Sequence, residues 1–209
     1  MKKSLIAIFA HFTVLICISI AEGQIVTFSY EGIIDTIDYN YNDAIPGLHL
    51  GQQFSGWFQY EIIPDQYAES YLGRYNQDAS IVFDLGDFNI SYLDDFVYIR
   101  VLDGNTGSSS YPDRDEFDFA VDGLHGDYSF GNFGLELIDN SEEVFYSDAL
   151  PTWLNLSELD EPRFLLIGNK SGDAFNAEGY LTELTLVPEP GTVLLLGLGV
   201  LGVFGRSRH

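Results

Sequence analysis

The stretch "YPDRDEFD" packs Asp113, Asp115, Glu116 and Asp118 closely together, and the preceding "LDGNTG" adds Asp103 and Asn105. Carboxylate and amide oxygens are what hard divalent cations take as ligands, and calcium takes six to eight of them. These six residues are therefore the candidate metal ligands, and calcium is the cation they would hold. The spacing does not follow the twelve-residue EF-hand loop. The competing reading is acidity that only solvates the surface.

Other chemistry is poorly supplied. The body of the chain offers His49 and His125, each beside glycine, and lacks both a G-x-S-x-G elbow and an H-E-x-x-H pair. Its one cysteine, Cys17, lies in the apolar N-terminal stretch, so a thiolate centre, a cysteine nucleophile and a disulfide framework are all excluded from the body. Alternation in "EFDFAVD" puts Glu116, Asp118 and Asp122 on one polar face. Paired carboxylates leave a glycan-active enzyme as the alternative function. With no catalytic motif and no cofactor implied beyond calcium, the leading expectation is a protein that is not an enzyme. A sugar-stacking platform is a further candidate, built from Tyr39, Tyr41, Tyr67, Tyr71 and Tyr75 with Trp57 or Trp153.

The elements that must carry these residues are strands. Val26, Phe28 and Tyr30 alternate with Thr27, Ser29 and Glu31, and Phe117, Phe119 and Val121 alternate with the acids of "EFDFAVD". "FSGWFQYEI" and "AEGYLTELTLV" repeat that period of two, and no stretch of the body has helical spacing. Loops rich in Gly, Asn, Asp, Pro and Ser separate about eight such runs. The expected fold is all-β, an antiparallel sandwich of the jelly-roll kind, with one short helix near "PTWLNLSEL". The formal net charge of −23 repels nucleic acid and attracts cations.

Both ends differ from the body. Residues 1–23 open on Lys2 and Lys3, continue apolar to Ile20 and end on Ala21 and Gly23. That is the pattern of a signal peptide, a helix cut by signal peptidase before Gln24. Residues 24–186 form the acidic domain, and residues 187–209 the tail. In the tail Val187, Pro188, Glu189 and Pro190 precede the apolar run Gly191–Gly205, and Arg206 and Arg208 follow it. As a transmembrane helix that run would span about 22 Å, short of the ~30 Å hydrocarbon core. The arginines would stay on the cytoplasmic side, leaving the domain outside.

This order of Val-Pro-Glu-Pro, apolar helix and basic end resembles the PEP-CTERM sorting signal of Gram-negative bacteria. The resemblance implies an exosortase, an integral-membrane enzyme, that recognises and cuts near Pro188-Glu189-Pro190 while the tail sits transiently in the inner membrane. It implies a destination at the cell surface or in the extracellular matrix, often in organisms that make exopolysaccharide. The expected function is structural or adhesive, with polysaccharide or calcium as the ligand.

Overall fold

The computed structural model describes residues 24–64, 72–104, 114–145 and 147–188, except the side chains of 94–96. Among them run eight strands: β1 Ile25–Asn40, β2 Gln53–Glu61, β3 Leu72–Leu85, β4 Phe88–Leu102, β5 Asp115–His125, β6 Tyr128–Asp139, β7 Glu161–Lys170 and β8 Asp173–Val187. Each pairs antiparallel with the next, and β8 returns to β1, closing a barrel. The closing ladder runs from Thr27 opposite Val187 to Asn40 opposite Phe175.

The sandwich expected from sequence is therefore corrected to a closed barrel. Period-two alternation buries one face of a strand in either architecture. What separates them is whether the first and last strands meet, a pairing between distant segments that no local pattern reports. The short helix is corrected as well: "PTWLNLSEL" holds only a 3₁₀ turn at Leu156–Glu158, capped by the Asn155 side chain accepting from the Ser157 amide. The signal helix and the transmembrane helix lie outside the described residues. Among the described residues no helix is long and apolar enough to cross a membrane.

Eight strands leave an interior that side chains just fill, and here aromatic rings fill it. Phe28, Phe58, Phe83, Phe117, Phe119, Phe133, Phe164 and Phe175 are fully buried. Phe83 and Phe164 stack at 4.4 Å and 10°, and Phe58 meets Phe119 at 5.1 Å. Buried tyrosines need partners for their hydroxyls. Tyr30 donates to the Val82 carbonyl (2.8 Å), Tyr60 to Pro151 (2.5 Å) and Tyr75 to Asp148 (2.7 Å). Gly56 makes room for this packing, because a Cβ there would sit 2.0 Å from the Val82 oxygen and 2.5 Å from the Tyr30 hydroxyl.

The two barrel ends are unlike. At one, two-residue turns at Gly86-Asp87, Gly126-Asp127 and Ser171-Gly172 close three hairpins, with positive φ at each glycine and at Ser171. Only the 41–52 connection there is longer. The other end carries the connections 62–71, 103–114 and 140–160, together with the start of β1 and the end of β8.

Candidate functional site on the outer wall

Alternation sends Phe117, Phe119 and Val121 of β5 inward and turns Glu116, Asp118 and Asp122 outward. Register then decides their neighbours. Arg100 of β4 lies opposite Asp118, Asp118 opposite Glu136 of β6, and Glu136 opposite Arg163 of β7. On the other side of Arg100 stands Arg74 of β3. A chain with nine basic residues thus places Arg74, Arg100 and Arg163 on one row of the wall, around two acids.

Glu116, Asp118 and Glu136 bring one carboxylate oxygen each within 4.8 Å of one another. Arginines occupy the space between them. Arg100 pairs with both Glu116 and Asp118, at 2.5 Å for the latter. Arg114 reaches Glu116 through Nη2 (2.6 Å) and Nε (2.9 Å). Arg163 pairs with Glu161 and approaches Glu178 at 3.8 Å. Beside the cluster a shallow groove of about 260 Å³ crosses β4 to β7, lined by Tyr98, Arg100, Asp118, Asp122, Asn132 and Glu136.

The predicted calcium ligands do not form one site. Asp115 shares the inward parity of Phe117, is fully buried, and accepts from the amides of Gly104 (2.9 Å), Val144 (2.9 Å) and Phe145 (2.6 Å). It ties the 103–114 connection to the 140–160 connection. Glu116 and Asp118 join the wall cluster with Glu136, which sequence reading passed over. Asp103 precedes β5 in the connection at the barrel's end, while Asn105 and Asp113 lie outside the described residues. The aromatic platform is dispersed too. Tyr39 and Tyr41 stack at 5.3 Å at the hairpin end, whereas the exposed Trp153 belongs to the opposite end. Tyr75 is buried, Trp57 half-buried, and Tyr67 and Tyr71 lie outside the described residues. His49 bonds the Gly47 carbonyl and His125 packs on the Tyr92 ring, so neither joins the acidic cluster.

Burial lifts Asp118 above the usual carboxylate range, against the opposing pull of Arg100. Glu136 is lifted by burial and then by the Asp118 charge. Burial also pushes Asp139 upward, but amides of Ser141 and Glu143 and the Ser141 hydroxyl reverse that and leave it lowered. The folded barrel holds protons on Asp118 and Glu136 more tightly than the unfolded chain does. Their share of stability therefore grows as pH falls from neutral. Asp139 has the opposite sign: its share is present above the ordinary range and is lost below it. The melting temperature is expected to climb as pH falls from neutral toward the ordinary carboxylate range and to drop once pH passes below it. Calorimetry across that range checks this, with Glu136→Gln flattening the climb.

Fold and wall together define an acidic, aromatic-filled, closed β-barrel whose accessible chemistry lies on its exterior. The tail supplies the rest of the identification: residues 186–208 match the family model of the PEP-CTERM protein-sorting motif. The tail thus carries a PEP-CTERM sorting motif, which indicates an exported, membrane-associated precursor sorted to the cell surface and implies processing by exosortase, a membrane enzyme. No curated protein and no solved structure matches the chain.

Proposed function

We propose that this is a structural or adhesive component of the cell surface or extracellular matrix, binding polysaccharide along its outer wall. The observation that carries the reading is the groove beside Arg100, Asp118 and Glu136, on a barrel whose interior is packed with rings. Tyr98 is 37% exposed there and offers a flat apolar face beside planar polar groups. That combination suits a sugar ring, which has an apolar face and a rim of hydroxyls. The mixed charges of the groove favour a neutral or weakly charged glycan over a strongly anionic one. Calcium is the weaker ligand for the same cluster, because Arg100 and Arg114 stand where a cation would.

Binding of neutral polysaccharides to the purified barrel tests this. Tyr98→Ala is expected to weaken binding about tenfold, from loss of one aromatic contact, while leaving the melting temperature unchanged. Equal binding by the variant would remove the groove as the site.

One observation favours a second reading. Asp118 and Glu136 are directly cross-strand and both have raised pKa values, as a glycan-cleaving acid requires of one member of its pair. Product formation from a bound glycan, abolished by Glu136→Gln, would move the protein into that class.

A further inference from the structure

The last residues of β8 overhang β7 at the rim of the closed barrel, directly upstream of the sorting motif. Pairing of β8 with β7 stops at Arg163 opposite Tyr180, whereas pairing with β1 continues to Thr27 opposite Val187. Among the described residues Thr182–Val187 therefore has a partner strand on one side only. The 3₁₀ turn Leu156–Glu158 lies near β8, but among the described residues no turn or loop backbone bond reaches Thr182–Val187.

The phase of the ladder identifies which backbone groups are free. The Ile62 amide donates to the Gln24 carbonyl (2.7 Å) and the Ile34 amide to Gln52 (2.9 Å). The register between β1 and β2 is unbroken between them. Even-numbered residues of this part of β1 thus serve β2. By alternation Thr27, Ser29 and Glu31 serve β8, where their partners are Val187, Thr185 and Glu183. Leu184 and Leu186 then direct their N–H and C=O groups away from β1, into the open edge. Leu186 is 41% exposed and Thr185 and Val187 are exposed with it.

The motif adjoins this edge without a spacer. The family match begins at Leu186, inside the strand, and Pro188 follows Val187 directly. Only Pro188-Glu189-Pro190 separates Val187 from the apolar run at Gly191. Fully extended, that connection reaches at most ~14 Å. A membrane enzyme that engages these residues must meet the end of β8 as well.

We infer that the processing exosortase engages Thr182–Val187 by adding a strand of its own to the open edge, bonding the free backbone groups of Leu184 and Leu186, and thereby sets the motif in register for cleavage. Strand addition draws affinity from main-chain bonds and tolerates varied side chains. An exposed edge with unpaired donors and acceptors is its usual template. This inference rests on exosortase processing of the tail and is independent of what the wall binds.

The test uses the full-length precursor in membranes carrying its exosortase, reading the processed fraction by intact mass. Leu184→Pro deletes a free N–H while sparing the ladder to β1, as proline is tolerated on edge strands. It is expected to lower the processed fraction about tenfold, the loss of one or two backbone bonds. Leu184→Ala keeps the N–H and is expected to process like the parent. A Gly-Ser tetrapeptide inserted between Val187 and Pro188 uncouples edge from motif and is expected to slow processing. Circular dichroism on all three variants confirms that the barrel is folded. Unchanged processing of folded Leu184→Pro, or faster processing of the insertion variant, would overturn the inference by showing that only a free motif is read.

Discussion

Asp115→Ala is expected to destabilise the barrel by roughly 3 kcal/mol or more, as three amides, two of them buried, lose their acceptor. The amides belong to Gly104, Val144 and Phe145 and come from two separate connections, which this one side chain joins. Asp115→Asn keeps one carbonyl oxygen and should recover part of the loss. Urea unfolding with and without calcium discriminates the two roles of this residue. As a structural tie, Asp115 gives the same loss under both conditions. As a calcium ligand, it would give a loss only when calcium is present. A drop of 3 kcal/mol is a large share of the 5–15 kcal/mol that ordinarily holds a domain together.

Phe164→Ala is expected to cost about 3–5 kcal/mol, the range for deleting a buried ring from a packed core. Phe164 stacks on Phe83 and also meets Tyr30 (5.7 Å), Phe54 (5.3 Å) and Phe133 (5.4 Å), so rings from several strands would lose a shared neighbour. Phe164→Leu should cost less, because it keeps most of the volume. The cavity left by alanine would be apolar and dry, the kind that accepts benzene. Stabilisation of Phe164→Ala by benzene, absent in the parent, would show that the native interior has no room for a guest. An unchanged unfolding midpoint for Phe164→Ala would mean that the interior is looser than these ring distances imply.

How far the molecule was legible follows from how local each signal is. The burial of Phe117, Phe119 and Val121 and the exposure of Asp122 follow from alternation alone. Spacing groups Asp115 with the candidate calcium ligands, although it falls on the same parity as Phe117; its position relative to the rings is the available sign of burial. "SIVFDLGDFNIS" reads as one strand, yet Gly86-Asp87 folds it into a hairpin with Leu85 opposite Phe88. A glycine-containing pair flanked by apolar residues was the overlooked turn signal. Glu136 stands alone in an apolar run, and only the pairing of β5 with β6 brings it beside Asp118. Closure depends on the pairing of residues 27–40 with 175–187, which is invisible in a window of any useful width. The tail lay in plain view because its signal is contiguous.

The meeting of β1 and β8 also has a mechanical meaning. While the tail holds the barrel on the membrane, any pull on the barrel enters at Val187 and is carried by β8. Directed along the strand, that pull loads the rungs between Thr27–Asn40 and Phe175–Val187 together in shear, where a pull across the strand would unzip them one by one. Resistance to such a pull is governed by the unfolding barrier, not by equilibrium stability. Closing the barrel with its final strand thus puts a ladder loaded in shear at the point where the tether attaches.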